Sequence, residues 1–250
     1  MSGKIMKAVP NTVIVVVCGT FVADFYASWV YGPLANHLRR RGYEVRVLPI
    51  PKLGLGSMDE ALEAMAVALL KEHPDSGTRF ILVGHSQGGS HCVGLLRRLK
   101  GRVFKPVIPI AAPHHGTHLA NLGLPLRFLP DSFRQMAAHS RYLHWLREAE
   151  EVVEELGDVE IINLMTVFDQ LVWPFWASTL KGAENVVLAP SWTHPILKRL
   201  GIRRSNGIEL VDGIAEHAFI VRHPAILEAI DRQLDKIEAA YWAQEERAAS

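Results

Sequence analysis

Short apolar runs alternate with stretches of helical spacing along most of the chain. Residues 13–17 are a continuous β-branched run, as expected of a strand buried on both faces, and Gly19 follows it closely. Residues 29–41 place Trp29, Leu34 and Leu38 at helical spacing, Gly42 marks a stop, and 43–48 alternates as a strand. Ser57 introduces a helix over 58–72, and the polar loop 73–77 leads into an apolar run within 79–89 that precedes an amphipathic segment at 90–100. Residues 107–112 and 160–168 predict further strands, a third candidate lies at 185–188 or 208–211, and His223-Pro224 marks the start of a last helix. Strands alternating with helices predict an α/β fold: a mostly parallel sheet with helices on both faces and a site built from loops at the carboxyl ends of the strands. The chain shows no internal repeat, low-complexity tract or linker, so residues 1–250 are expected to form one domain.

Residues 118–157 interrupt this rhythm and exceed what a simple crossover needs. Asp131 or Ser132 can cap a helix bearing Phe133, Met136 and Ala137, while Ser140 can cap a second bearing Leu143, Leu146, Val153 and Leu156, ended by Gly157. Two readings stand: an ordinary two-helix crossover, or a helical cap or lid whose apolar face covers the site.

Composition narrows the class without choosing the chemistry. The chain has 250 residues, is 49% hydrophobic and carries a formal net charge of +1, which offers no electrostatic case for nucleic acid or an anionic membrane. Its 2 cysteines, Cys18 and Cys92, read as buried free thiols. No secretory signal or membrane-spanning run is visible, so a cytoplasmic location is the default expectation. The oligomeric state has no signature in the sequence.

The chemistry is concentrated at Gly84-His85-Ser86-Gln87-Gly88, a Gly-x-Ser-x-Gly sequence between a strand run and a helix. A serine on such a turn is thrust outward from strained backbone, and glycines let neighbouring backbone approach. The following helix aims its free N–H groups at any negative charge that develops there. A serine hydroxyl needs a base, and the base needs an acid to hold its tautomer. Asp169 directly follows the 160–168 strand, at the carboxyl end where the acid belongs, whereas Asp158 precedes that strand and falls on the wrong side of the sheet. Two histidines compete for the base. His217 lies between a candidate strand and the last helix, and His194 also follows an apolar strand. His223 reads as a residue of the helix entrance. His114, His115 and His118 are close together, but Pro113 and Gly116 disfavour a regular ligand face, so no metal is expected; no phosphate loop or dinucleotide fingerprint points to a cofactor. Phe25, Tyr26, Trp29, Trp173, Phe175 and Trp176 could line an acyl pocket or fill the core.

These residues resemble the α/β-hydrolase superfamily, and within it bacterial triacylglycerol lipases and related esterases. The order Ser86, Asp169, His217 matches the superfamily's order. Ala112-Pro113-His114-His115-Gly116-Thr117 resembles the Thr-Pro-His-His-Gly-Thr stretch of those lipases, and Asp169, Val172 and Pro174 resemble their Asp-x-x-Val-x-Pro segment. The resemblance implies an oxyanion hole from the N–H groups of Thr20 and Gln87. It departs at Cys18-Gly19, where such lipases carry His-Gly, and at 190–205, an insertion whose Lys198, Arg199, Arg203 and Arg204 read as a solvated surface or a site for an anionic head group. The expected function is a cofactor-independent serine hydrolase of carboxylic esters, with a small-molecule acyl ester or lipid as substrate. A thioesterase or acyltransferase with the same triad is an alternative, as is a non-catalytic binding protein on this fold.

Overall fold

The computed structural model describes residues 7–99, 102–103, 106–116, 130–137, 140–144, 160–180, 182–200 and 208–248. Strand β1 (Thr12–Val17) is buried along its whole length. Its two faces serve two cores because side chains alternate along a strand. Ile14, Val16 and Cys18 pack with Ile81 and Val83 against Tyr31, Leu34 and Leu38 of helix α1 (Asp24–Arg40) and Ile226, Ile230 and Leu234 of a C-terminal helix, Pro224–Ala248. Val13, Val15 and Val17 face the other way, with Phe80 and Leu82, onto Leu62, Met65 and Leu69 of α2 (Met58–Glu72) and Leu95 of α3 (Gln87–Arg98). Each such side chain contributes about 1.5–3 kcal/mol by leaving water, which is why the β-branched run must lie centrally.

The remaining strands are β2 (Glu44–Leu48), β3 (Arg79–His85), β4 (Ile108–Ile110), β5 (Ile162–Thr166), β6 (Glu184–Ala189) and β7 (Ile208–Asp212). They form one sheet in the order β2-β1-β3-β4-β5-β6-β7, and every pairing is parallel. The chain steps from β1 to β2 on one side and then returns to β3 on the other. That reversal opens a crevice outside the carboxyl ends of β1 and β3, where ligands of open α/β sheets bind.

Several boundaries differ from the sequence pattern. Both 185–188 and 208–211 lie in strands rather than one or the other. Helix α1 begins at Asp24 and runs through Pro33, and α3 begins immediately after Ser86. Strand β4 stops at Ile110 because Ala111 takes φ 49°, turning the chain at the sheet's carboxyl edge.

Helices α4 (Asp131–Gln135), α5 (His194–Arg199) and α6 (Pro224–Ala248) follow in the second half of the chain. Around α4, Met136, Tyr142 and Leu143 pack with Phe133 onto Met58 of α2 and Val93 of α3. The Ser140 hydroxyl accepts the Leu143 N–H at 3.1 Å, capping the expected second helical turn. Leu146, Val153, Leu156, Gly157, Asp158, His118, Arg203 and Arg204 lie outside the described residues. Among the described residues, no helix is long and apolar enough to cross a membrane.

Candidate active site

Ser86 follows β3 directly and has φ 56° and ψ −128°, a conformation that ordinary L-residues adopt only under constraint. The constraint is visible on both sides: Ser86 N–H donates to Ile110 O at 2.8 Å, and Gly89 N–H donates to Ser86 O at 2.9 Å. A Cβ at Gly84 would collide with Gly88 O and Cys92 Sγ, and one at Gly88 would collide with Cys18 O and Val17 O. The two motif glycines are therefore demanded by close packing of the elbow on its own helix and on β1. Gln87 is the first residue of α3, so its N–H belongs to the helix's unpaired donors.

Asp169 and His217 meet across the sheet edge. Asp169 Oδ2 accepts from His217 Nδ1 at 2.8 Å, and both side chains are buried. The other carboxylate oxygen, Oδ1, accepts the N–H groups of Leu171 at 2.9 Å and Val172 at 2.6 Å. These bonds fix the orientation of the carboxylate. The bond to Nδ1 leaves Nε2 as the free ring nitrogen of His217. Nε2 is buried and has no hydrogen-bond partner among the described residues.

Ser86 and His217 line one cavity of about 300 Å³ at the carboxyl ends of β1 and β3. Thr20, Phe21, Val30, Phe133, Met136 and Leu171 contribute to its mostly apolar wall. Thr20 Oγ1 donates to Gln87 Oε1 at 2.5 Å, which joins the loop after β1 to the start of α3.

His194 takes another place. It opens α5, and its Nε2 bonds the Ala189 carbonyl at 2.9 Å, so it caps the end of β6 and does not line the cavity. His223 Nδ1 accepts the Ala225 N–H at 3.3 Å, at the entrance of α6. Leu143, expected on an acyl-binding face, is packed behind it on Met58 and Val93. Five of the six aromatic residues fit neither expected role, since Phe25, Tyr26, Trp29, Trp173 and Trp176 are exposed and do not line the cavity, whereas Phe175 packs against a core cluster beside β5 and β6. Phe25, Tyr26 and Trp29 stand on the exposed side of the first turns of α1, and Trp173 and Trp176 on the segment that follows β5; the Arg222 guanidinium lies 4.7 Å from the Trp29 ring. Lys198 and Arg199 occupy the last turn of α5, where cations complement the helix dipole. Among the described residues, no cluster of His, Cys, Asp or Glu could hold a metal ion, and the buried Cys18 and Cys92 form no disulfide.

A family model described as the alpha/beta hydrolase family matches residues 14–246. The chain belongs to that family. No curated protein matches this alpha/beta hydrolase significantly. Among solved structures, Aspergillus fumigatus lipase B is similar with a TM-score of 0.60 and 18% identity, over 86% of this chain and 50% of its own. The hydrolase thus spans half the length of that lipase. A structure described under the metagenome-derived lipolytic enzymes LipS and LipT gives a TM-score of 0.56 at 15% identity, covering 92% of this chain and 96% of its own. A lipase-esterase related protein from Clostridium acetobutylicum gives 0.52 at 11% identity, with coverages of 89% and 94%. These likenesses establish a shared fold.

Two residues in this hydrolase's site had no signal in the sequence. Tyr31 and His85 are not singled out by the spacing or by the motif. Both line the cavity and both are buried.

Burial has a measurable effect on three imidazoles. His85, His91 and His114 are buried, and desolvation pushes each down to about 3. Unfolded histidine titrates near 6.5, so below that pH the unfolded chain binds protons that the native state refuses until about 3. Stability therefore falls as pH drops through this window, by up to about 1.4 kcal/mol per pH unit for each histidine. Urea midpoints measured from pH 7 to 4.5 should decline accordingly. His91→Gln, which cannot protonate, should flatten the decline.

Proposed function

We propose that this alpha/beta hydrolase is a cofactor-independent serine esterase acting on carboxylic esters with an apolar acyl group. The observation that carries the reading is one cavity that holds a serine on a strained elbow together with a histidine bound to a buried aspartate. Ser86 Oγ attacks the ester carbonyl carbon as His217 Nε2 takes the hydroxyl proton. Asp169 holds the Nδ1–H tautomer and stabilises the imidazolium. The N–H groups of Thr20 and Gln87 bind the carbonyl oxygen as it gains charge, a contribution of about 3–4 kcal/mol for a single such donor in serine hydrolases. His217 then protonates the departing alcohol, and water activated by the same imidazole releases the acid.

The substrate class follows from the wall. Phe21, Val30, Phe133, Met136 and Leu171 offer an acyl chain apolar contact, and Phe133 and Met136 come from the 118–157 insertion. That contribution supports reading 118–157 as a cap on a single domain spanning 1–250. A cavity of about 300 Å³ is at the small end of ligand pockets. Each enclosed methylene is worth about 0.8 kcal/mol, close to a fourfold gain.

Steady-state hydrolysis of p-nitrophenyl acetate, octanoate and palmitate tests the proposal. kcat/KM should rise from acetate to octanoate and gain nothing further at palmitate. Met136→Ser should weaken octanoate more than acetate. A flat profile in both proteins would overturn the capped acyl pocket, and tight ester binding without turnover would favour a binding protein.

A further inference from the structure

Resting on that triad, we propose that Tyr31 and His85 are positioning residues, which lock the proposed base loop and oxyanion loop into one geometry through a directed hydrogen-bond chain. The chain runs from Gly19 N–H to Tyr31 Oη at 2.7 Å, from Tyr31 Oη to His85 Nδ1 at 2.8 Å, and from His85 Nε2 to the His217 carbonyl at 2.8 Å.

Its direction is set by what each group can do. A backbone N–H only donates, so the Tyr31 oxygen accepts from Gly19. The phenol then has one proton left to give, and His85 Nδ1 is the neighbour able to take it. A neutral imidazole that accepts at Nδ1 carries its proton on Nε2, which faces a carbonyl that only accepts. The reverse tautomer would set the Nε2 lone pair against the His217 carbonyl and leave the phenol proton without this partner. Double protonation is opposed by burial, which holds His85 down at about 3.

The chain matters because of where the base loop has to travel. His217 follows β7, at the far edge of the sheet, yet lies over the end of β3. The loop is tied down in steps: Gly213 N–H to Ala189 O of β6 at 3.2 Å, Thr166 Oγ1 of β5 to Ala215 O at 3.0 Å, and finally His85 of β3 to His217 O. At His217 itself, the backbone N–H reaches Gln170 Oε1 at 3.3 Å, and the ring is bonded to Asp169. The bond from His85 is thus the tether that joins this loop to the strand carrying Ser86. At the other end, Tyr31 holds the Gly19 N–H immediately before Thr20, the proposed oxyanion donor.

Four variants test this with an octanoate ester: Tyr31→Phe, His85→Leu, His85→Gln and the double variant Tyr31→Phe/His85→Leu. Misplacing a reacting group by about 1 Å can lower turnover on the order of a hundredfold, so His85→Leu should lose kcat on that scale while KM changes little. The amide of His85→Gln can again donate to the His217 carbonyl and should recover most of the loss. Tyr31→Phe removes only the oxygen, so it reads the chain even if His85→Leu fails to fold. The double variant should be no slower than the worse single variant, because both cut one chain. The proposal is overturned if folded Tyr31→Phe keeps wild-type kcat, if the losses multiply, if they lie in KM, or if His85→Gln matches His85→Leu. Ser86→Ala in the same assay separates the two levels: turnover retained there overturns the triad itself and the chain with it, whereas turnover lost there beside wild-type kcat in Tyr31→Phe overturns the chain alone.

Discussion

Ser86→Ala should yield a folded protein whose ester turnover falls on the order of a millionfold, the scale on which a serine hydrolase fails when its nucleophile is removed. The size of the effect follows from the division of labour: without the hydroxyl oxygen there is no acyl-enzyme, and the oxyanion donors can act only on direct attack by water. The fold should hardly notice. The bonds that shape the elbow, Ser86 N–H to Ile110 O and Gly89 N–H to Ser86 O, use backbone atoms and survive the substitution. A thermal melt within about 3 °C of wild type, measured beside hydrolysis of p-nitrophenyl octanoate, would separate lost chemistry from lost structure.

The second large effect is expected at the base and its acid. His217→Ala should match the defect of Ser86→Ala, since members of a catalytic unit do not contribute additively. Asp169→Asn should lose about 10⁴-fold in kcat, because an amide facing Nδ1 can donate and so stabilise the wrong tautomer. His194→Ala should change turnover only modestly: its bond goes to Ala189 O at the end of β6, and loss of one such bond costs about 1 kcal/mol of stability. Reversed outcomes for the two histidines would show that the wrong loop has been read as carrying the base.

The features legible in the sequence are those whose cause is local. Residues 13–17 read as a central strand because burial on both faces demands an unbroken β-branched run. Gly84, Ser86 and Gly88 were readable as an elbow because the collisions that require glycine arise within a few residues or against the adjacent strand. Asp169 was a candidate from its place beyond a strand end, whereas the same signal left His217 and His194 both open as the base. Strand β7 was harder, since its partly exposed edge position mixes polar and apolar residues and gives 208–211 no clear priority over 185–188. The start of α1 was missed because its first turns carry exposed Phe25 and Tyr26, which do not mark a buried stripe. Tyr31 and His85 left no pattern at all. Their bonds join positions 12, 54 and 132 residues apart, and only the folded sheet edge brings those positions together.

If Ser86 is the nucleophile of a working Ser86–His217–Asp169 unit, it should be the residue that a covalent active-site label finds. The protein would be treated with an alkyl p-nitrophenyl phosphonate, digested, and mapped by mass spectrometry. One adduct per chain on the peptide containing Ser86 is expected, abolished in Ser86→Ala and strongly slowed in Asp169→Asn. Stoichiometric labelling of another residue, or undiminished labelling of Ser86→Ala, would contradict the claim.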